Sequence, residues 1–363
     1  MKWFRGKKDG DSLNHDIKEE TNTPEETEFR QQLDDAVDEI YEKEMKKIND
    51  QLEKELLIAL VGEVNAGKSS TINRIIGKEV ASTNPQPGET VSVDPYNMEG
   101  LEKIKFMDTP GLNDPNDENP RKTIEFIDKA DIVLFFTNAA GTVFSDSERE
   151  KFLSIEKHNK NILLVLNKID AAEGIESLVD FIKEQTGGKY EVLPISSRTG
   201  ENMDKLKASI LSILKKRGKD LLFAKSMKDK SQTANRWIAG AGVSAGGIGA
   251  LPIPGSDVIP LTALQIGLIL KLAALYDKPM SKDTAKELII ITTTRTVGQT
   301  LYRQIVKLVP GAGSIAGGIV ASSLTLALGY GVKHAFENNI PISFDYIIEQ
   351  FKKLKKRKSY KEE

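Results

Sequence analysis

The 363-residue sequence contains no cysteine, which excludes disulfide-stapled scaffolds, thiolate metal sites, iron–sulfur clusters and cysteine nucleophiles. Histidine is scarce: His15, His158 and His334 are far apart and give little support to a zinc site or a Ser/His catalytic triad. The sequence also lacks a large excess of either charge: it has 51 Lys and Arg residues and 53 Asp and Glu residues, which give a net charge of −2. A uniformly basic coat for nucleic acid is therefore excluded, and any basic contact surface has to be local.

The N-terminal region lacks the apolar stretch of a secretory signal, so we expect a cytoplasmic protein. Few residues between 9 and 28 are aliphatic, and residues 1–28 are therefore predicted to form a disordered arm. Over residues 29–55, apolar side chains recur three or four positions apart, which predicts one long amphipathic helix. This stripe consists of Leu33, Val37, Ile40, Tyr41, Met45, Ile48 and Leu52. It fits either a partner seam or packing against the protein's own C-terminal helices.

Residues 56–216 have the pattern of a doubly wound α/β domain. Five short apolar runs are predicted to be buried strands, at residues 56–61, 104–107, 132–136, 162–166 and 192–195. The later runs are separated by spacers with helical periodicity, at residues 148–158, 175–186 and 203–216. This alternation predicts a mostly parallel sheet with helices on both faces.

Beyond residue 216 the strand pattern ends, and long stretches carry no charge. Residues 237–256 and 308–332 are uncharged runs of 20 and 25 residues, each with six glycines. They predict an all-α domain over residues 217–342, followed by an amphipathic helix and a basic tail over residues 343–363. Both runs reach the roughly 20 residues needed to cross a bilayer, but glycine weakens insertion. A membrane span and a buried helical core are therefore two open interpretations.

The first predicted strand runs into a glycine-rich loop of the form G-x4-G-K-S, which opens a predicted helix. Glycines allow backbone N–H groups to turn towards an anion, and the positive end of the helix dipole adds to the attraction. In such a loop, the P-loop, Lys68 reaches the outer phosphates of a nucleotide and the Ser69 hydroxyl binds magnesium. The candidate phosphate-binding residues are Gly62, Asn65, Ala66, Gly67, Lys68, Ser69 and Ser70.

Polar motifs also follow later strands. Asp108, in the sequence Asp-Thr-Pro-Gly, supplies a carboxylate for magnesium, and the N–H of Gly111 can contact the γ-phosphate. The sequence Asn-Lys-Ile-Asp comprises Asn167, Lys168 and Asp170. The Asp170 carboxylate can accept hydrogen bonds from the N1–H and exocyclic amine of guanine, a donor pair that adenine lacks. Lys168 would lie along the base, and Asn167 would tie this motif to the P-loop.

The fourth motif, Ser-Ser-Arg, follows the last predicted strand. Ser196 and Ser197 belong to a loop whose backbone N–H groups can bind guanine O6. Because such sheets bind ligands at the carboxyl ends of their strands, we expect all four motifs in one site. A bidentate base contact contributes about 1–3 kcal/mol of discrimination. The sequence therefore predicts GTP or GDP rather than ATP as ligand, with Mg²⁺.

With these motifs, residues 56–216 resemble the G domain of the TrmE and Era branch of translation-factor-related P-loop GTPases. This resemblance implies GTP hydrolysis, with Lys68 and Gly111 among the catalytic residues. It places the switch threonine, which closes on magnesium, at Thr90, although Thr83 lies in the same segment.

The same resemblance implies that Asn65 binds a potassium ion when two G domains meet face to face. The alternative is that Asn65 only structures the loop. Leu112 stands where small signalling GTPases carry a water-orienting glutamine, so we expect slow basal turnover.

With the sequences LPIPGSD at residues 251–257 and LTALQ at residues 261–265, the C-terminal part is similar to the uncharacterised YcjF-type domain, a similarity that implies no known chemistry. The chain more distantly resembles dynamin-like and immunity-related GTPases, which implies a GTPase switch coupled to a helical effector domain at the cytoplasmic face of a membrane. The two uncharged runs, the glycine spacings Gly242-x3-Gly246 and Gly313-x3-Gly317, which allow close helix packing, and basic residues that can contact anionic lipid favour this hypothesis. The alternative is RNA modification or ribosome assembly of the TrmE and Era kind. An RNA or ribosome partner is less favoured, because no KH module is visible after Arg217 and no cysteine can form the terminal motif of TrmE.

Overall fold

The computed structural model describes residues 24–77, 96–97, 103–108, 120–250, 258–293, 316–342 and 346. Within these residues, one sheet carries helices on both faces, and further helices pack beside it. The predicted α/β G-domain class with a helical C-terminal region is confirmed.

The strands are β1 (Leu56–Gly62), β2 (Tyr96–Asn97), β3 (Ile104–Asp108), β4 (Ile132–Asn138), β5 (Ile162–Asn167) and β6 (Val192–Pro194). Their order in the sheet is β2-β3-β1-β4-β5-β6, with β2 antiparallel to β3 and the other neighbours parallel. The five predicted strands are present within one or two residues of their predicted bounds. The edge strand β2 was not predicted, because two residues are too few to show a period.

Helices of the G domain cover the two faces of the sheet. They are α2 (Lys68–Ile76), α3 (Pro120–Lys129), α4 (Asp146–His158), α5 (Ile175–Gln185) and α6 (Met203–Lys216). Along β1, Ile58 and Leu60 lie in the buried cluster shared with α2 and α6, whereas Ala59 and Val61 lie in the cluster shared with α3, α4 and α5. This alternation is the two-residue period of a strand buried on both sides.

The remaining helices are α1 (Pro24–Glu53), α7 (Asp220–Ser226), α8 (Ser231–Gly249), α9 (Val258–Leu275), α10 (Lys282–Thr293) and α11 (Ala316–Glu337). The predicted apolar stripe of α1 packs within the chain, since Val37, Tyr41 and Ile48 are buried in the cluster that contains α9 and α10 residues. The Tyr41 hydroxyl donates to the backbone oxygen of Met280 at 2.7 Å. Of the two interpretations of this stripe, packing against the protein's own helices is therefore the correct one.

The α1 and α4 helices begin earlier than predicted. The α1 helix begins at Pro24, inside the segment predicted to be disordered, because proline is well suited to a first helical position and the glutamates after it favour helix. The α4 helix begins at Asp146 because Ser145 and Glu148 form a capping box, in which each side chain binds the other's backbone N–H.

The α8 and α11 helices make a close contact through glycine. A side-chain carbon at Gly318 would lie 2.6 Å from the backbone oxygen of Gly246, and Gly249 and Gly317 approach each other in the same way. In the part of the chain that the structure describes, no helix is both long enough and apolar enough to span a membrane. Parts of both predicted uncharged runs, and residues 343–363 apart from Tyr346, lie outside the described residues.

A buried charge joins the amino end of the sheet to the chain after α6. The Asp131 carboxylate, in a residue only 2% exposed, accepts from the Leu57 N–H (3.0 Å) and pairs with Arg217 (3.1 Å) and Lys219 (2.6 Å). One hydrophobic cluster also continues from the sheet through α6 and α7 to α9. The predicted domain boundary at residue 217 stays a prediction, because the core is continuous across it.

Two glycine substitutions should change stability in opposite directions. Gly318→Ala places a methyl group against the Gly246 backbone, so the free energy of unfolding should fall by about 1–3 kcal/mol. Gly240→Ala, at an exposed position in the middle of α8 with no atom within 4 Å of the added carbon, should raise it by about 0.5–1 kcal/mol. Urea unfolding of the full chain measures both, and equal effects of the two variants would contradict the α8–α11 contact.

Candidate nucleotide-binding site

The loop between β1 and α2 needs glycine at two positions. Gly62 has a φ of 148° and lies against the backbone oxygen of Phe136, so a side chain there would collide with β4. Gly67 has a φ of 88°, and a side chain at this position would occupy the space of the Asn167 amide. The loop therefore lies close to β4 and to the end of β5 only because these two residues lack a side chain.

Lys68, the first residue of α2, folds back over this loop. Its Nζ donates to the backbone oxygens of Gly62 (3.0 Å) and Glu63 (3.1 Å), and the residue is 9% exposed. A positive charge is thus held beside the N-terminus of α2, where the helix dipole also favours an anion. The other predicted phosphate-binding residues are the buried Ala66, the half-buried Ser69 and the exposed Asn65 and Ser70.

Asn167, the last residue of β5, joins the P-loop to the loop after β6. Its buried Nδ2 donates to the backbone oxygen of Ala66 (2.8 Å) and to Ser197 Oγ (3.1 Å). Its Oδ1 accepts from the backbone N–H groups of Lys168 (2.8 Å) and Ser197 (3.0 Å). The predicted tie between this motif and the P-loop is present, and because both donors and both acceptor positions are used, the amide fixes the spacing of the two loops.

Asp170 lies directly after this tie. Lys168 has a φ of 65° and turns the chain out of β5 into the single-turn helix Ile169–Ala171, which carries the carboxylate. Ser196 Oγ donates to Asp170 Oδ1 at 2.5 Å, and the Arg198 guanidinium lies 2.5 Å from Oδ2. The Ser196 hydroxyl and the Arg198 charge lower the pKa of Asp170, which keeps the carboxylate ionised at neutral pH as a hydrogen-bond acceptor.

The loop after β6 leaves one backbone donor for a ligand. Protein oxygens accept from the N–H groups of Ser196, Ser197, Thr199 and Gly200. Within the described residues, the N–H of Arg198 has no such acceptor. The sequence left open which amide of this motif would face guanine O6, and the structure points to Arg198, because Ser197 is bound to Asn167.

The magnesium ligands predicted from the sequence belong to neighbouring elements. Asp108 ends β3 and pairs in register with Leu60, so it lies at the same edge of the sheet as the P-loop. Carboxylate and hydroxyl oxygens are hard donors of the kind that magnesium binds alongside phosphate and water. Thr90 and Gly111 lie outside the described residues. Among the described side chains, no group of three or more His, Asp or Glu could hold a metal ion by itself.

Two arginine contacts were not predicted. Arg198 pairs with Asp170, and Arg74 on α2 binds the backbone of the loop after β6. Neither contact follows from a motif, because the arginine and its partners come together only in the folded chain.

Comparison with known proteins supports this description. Residues 57–168 match the model of a family described as 50S ribosome-binding GTPase. GTPase Era of Aquifex aeolicus (strain VF5) is 31% identical over 168 residues, which cover 43% of this chain and 56% of Era. The tRNA modification GTPase MnmE of Thermotoga sp. (strain RQ2) is 34% identical over 166 residues, which cover 44% of this chain and 36% of MnmE.

Among solved structures, a crystal structure of Era in complex with MgGDPNP and nucleotides 1506–1542 of 16S ribosomal RNA is 28% identical, with a TM-score of 0.38. The match covers 44% of this chain and 57% of that chain. This chain thus spans about half the length of Era and about a third of MnmE. Residues 57–168 are therefore similar to the G domain of P-loop GTPases, and Era and MnmE are among the proteins that share this similarity.

Proposed function

We propose that this protein binds GTP at the carboxyl edge of the sheet and hydrolyses it to GDP and phosphate. The observation that carries the proposal is the set of hydrogen bonds made by the Asn167 side chain. They hold the P-loop and the loop after β6, which contains Ser196 and Ser197, at a fixed spacing in one site. The names of the homologous proteins, all GTPases, support it further.

At the phosphate end, the Lys68 ammonium would exchange backbone oxygens of the loop for the β- and γ-phosphate oxygens. Its charge and the loop amides would then stabilise the negative charge that develops during transfer of the γ-phosphoryl group. Ser69, Asp108 and Thr90 would hold Mg²⁺, which supplies further charge neutralisation when bound. The N–H of Gly111 would contact the γ-phosphate.

At the base end, Asp170 would accept from the two N–H groups of guanine while Ser196 keeps its hydrogen bond to Oδ1. Guanine and the Arg198 guanidinium would compete for Oδ2, so Arg198 would move when the base binds. The Arg198 N–H would donate to guanine O6, and Lys168 would lie along the base.

Asn65 is exposed in the P-loop with a φ of 65°, so its side chain is accessible to a second molecule. We propose that it contributes to potassium binding when two G domains form a homodimer. Potassium would then supply positive charge at the phosphates that a single copy of the protein lacks. Basal turnover of the monomer would be slow, because Leu112 cannot orient the attacking water.

The first test is GTP turnover in potassium and in sodium at equal ionic strength. Wild type should release phosphate faster in potassium, and Asn65→Ala should lose most of this difference. Lys68→Ala should abolish turnover in both salts, because it removes the charge that faces the phosphates. Turnover that is equal in both salts would contradict the role of Asn65, and turnover retained by Lys68→Ala would contradict the site itself.

The second test concerns recognition of the base. Asp170→Asn replaces two acceptor oxygens with one acceptor and one donor group, which suits xanthine better than guanine because xanthine carries an oxygen in place of the exocyclic amine. The affinity for GDP should fall by about tenfold or more, and the affinity for xanthosine diphosphate should rise. Fluorescence titration measures both affinities, and an unchanged preference for GDP would show that Asp170 does not read the base.

The helical region is proposed to couple this switch to a surface or partner. The end of the sequence is strongly basic, with Lys352, Lys353, Lys355, Lys356, Arg357 and Lys358 within seven residues. Each basic residue near an anionic membrane contributes about 1 kcal/mol of binding. We therefore favour an anionic membrane surface, in line with the dynamin-like resemblance of the sequence. RNA is the alternative, because the names of the relatives refer to tRNA and ribosomal RNA.

The third test is flotation with vesicles containing phosphatidylglycerol, with GTP or GDP present. The full chain should float at low salt and be released as salt rises, because exposed charges are screened. A variant with Lys352, Lys353, Lys355 and Lys356 changed to Gln should stay at the bottom, and the same change at Lys151, Lys157, Lys183 and Lys215 of the G domain is the matched control. Flotation that resists salt would point to insertion instead, and retention on RNA without flotation would favour the alternative function.

A further inference from the structure

Arg74 binds three consecutive carbonyl groups of the loop after β6. It lies in the last turn of α2, and its Nη1 donates to the backbone oxygens of Ser197 (3.2 Å) and Arg198 (3.0 Å). Its Nη2 donates to the backbone oxygen of Thr199 (2.9 Å). These partners are 123 to 125 positions away in sequence, so the contact joins two distant segments of the G domain.

The shape of the loop brings these three oxygens together. Ser196 Oγ accepts from the N–H of Thr199 (3.0 Å), and the backbone oxygen of Ser196 accepts from the N–H of Gly200 (2.9 Å). The guanidinium then covers Gly200, where a side chain would collide with it. The planar, forked donor group of arginine can reach several acceptors at once, whereas the ammonium of lysine is a single point charge.

The contact connects the two ends of the site by a second route. The first residue of α2 is Lys68, so the helix that carries Arg74 also carries the phosphate-facing lysine. The loop that Arg74 holds contains Ser196, which binds Asp170, and Arg198, which supplies the remaining backbone donor. Asn167 connects the P-loop to this loop from the buried side, and Arg74 connects α2, the helix that follows the P-loop, to the same loop from the exposed side.

We propose that Arg74 is a positioning residue for guanine recognition. It holds the loop of residues 196–200 in the position from which Asp170 and the Arg198 N–H can form hydrogen bonds with the base. Arg74 does not itself contact the nucleotide. This inference rests on the proposed function, because it assigns Arg74 a part in the same binding event. Its loss should weaken contacts to the base and leave contacts to the phosphates in place.

The test compares Arg74→Met and Arg74→Lys with Arg149→Met, a matched control that removes an exposed arginine from α4. Displacement of a fluorescent GDP analogue from the full chain gives the affinities for GDP and ADP, and thermal unfolding reports stability. For Arg74→Met we expect about tenfold weaker GDP binding, faster GDP release, and unchanged affinity for ADP. Arg74→Lys should recover only part of the loss, and Arg149→Met should match wild type.

The possible outcomes distinguish failure of this inference from failure of the proposed function. GDP binding by Arg74→Met that equals wild type would overturn the inference alone. Equal losses for GDP and ADP, or full recovery by Arg74→Lys, would also overturn it, since the effect would then be general destabilisation or charge alone. Failure of wild type to bind GDP at all would overturn the proposed function and this inference with it.

Discussion

The candidate site depends on one buried amide. Asn167 binds the P-loop at Ala66 with one hydrogen bond and the loop after β6 at Ser197 with two, and its remaining acceptor position takes the N–H of Lys168. A buried amide that lost any of these partners would keep unsatisfied polar atoms, at a cost of about 1–3 kcal/mol each. The strong preference for full satisfaction therefore fixes the distance between the two loops.

The surroundings of the site link it to the helical region. The face of the sheet that carries α2 also contacts α6 and α7, and one buried cluster extends from there to α1, α9 and α10. Ion pairs with buried carboxylates reinforce the junction: Asp131 binds Arg217 and Lys219, and Asp220 binds Lys271 at 2.5 Å. Because a buried carboxylate that loses its cation is costly, these contacts favour movement of the helices as a unit with the sheet. That arrangement suits a switch whose nucleotide state is read by attached helices.

Much of the fold could be predicted from local sequence, and the exceptions have a common cause. The apolar runs of β1, β4 and β5 and the polar residues that follow them are local patterns, so the strands and the positions of Lys68, Asn167 and Asp170 were predictable. The contacts of Arg74 and Arg198 with their partners were not. Each depends on segments that meet only after folding, and it leaves no period or motif in the chain.

The most direct test of the central claim is calorimetric titration of the full chain with GDP, GMP and ADP in the presence of Mg²⁺. If one edge of the sheet binds the phosphates and the guanine base together, GDP should bind at one site per chain. GMP, which lacks the outer phosphate, and ADP, which lacks the guanine edge, should each bind at least about tenfold more weakly. Affinity for either GMP or ADP equal to that for GDP, or no heat on addition of GDP, would contradict the account.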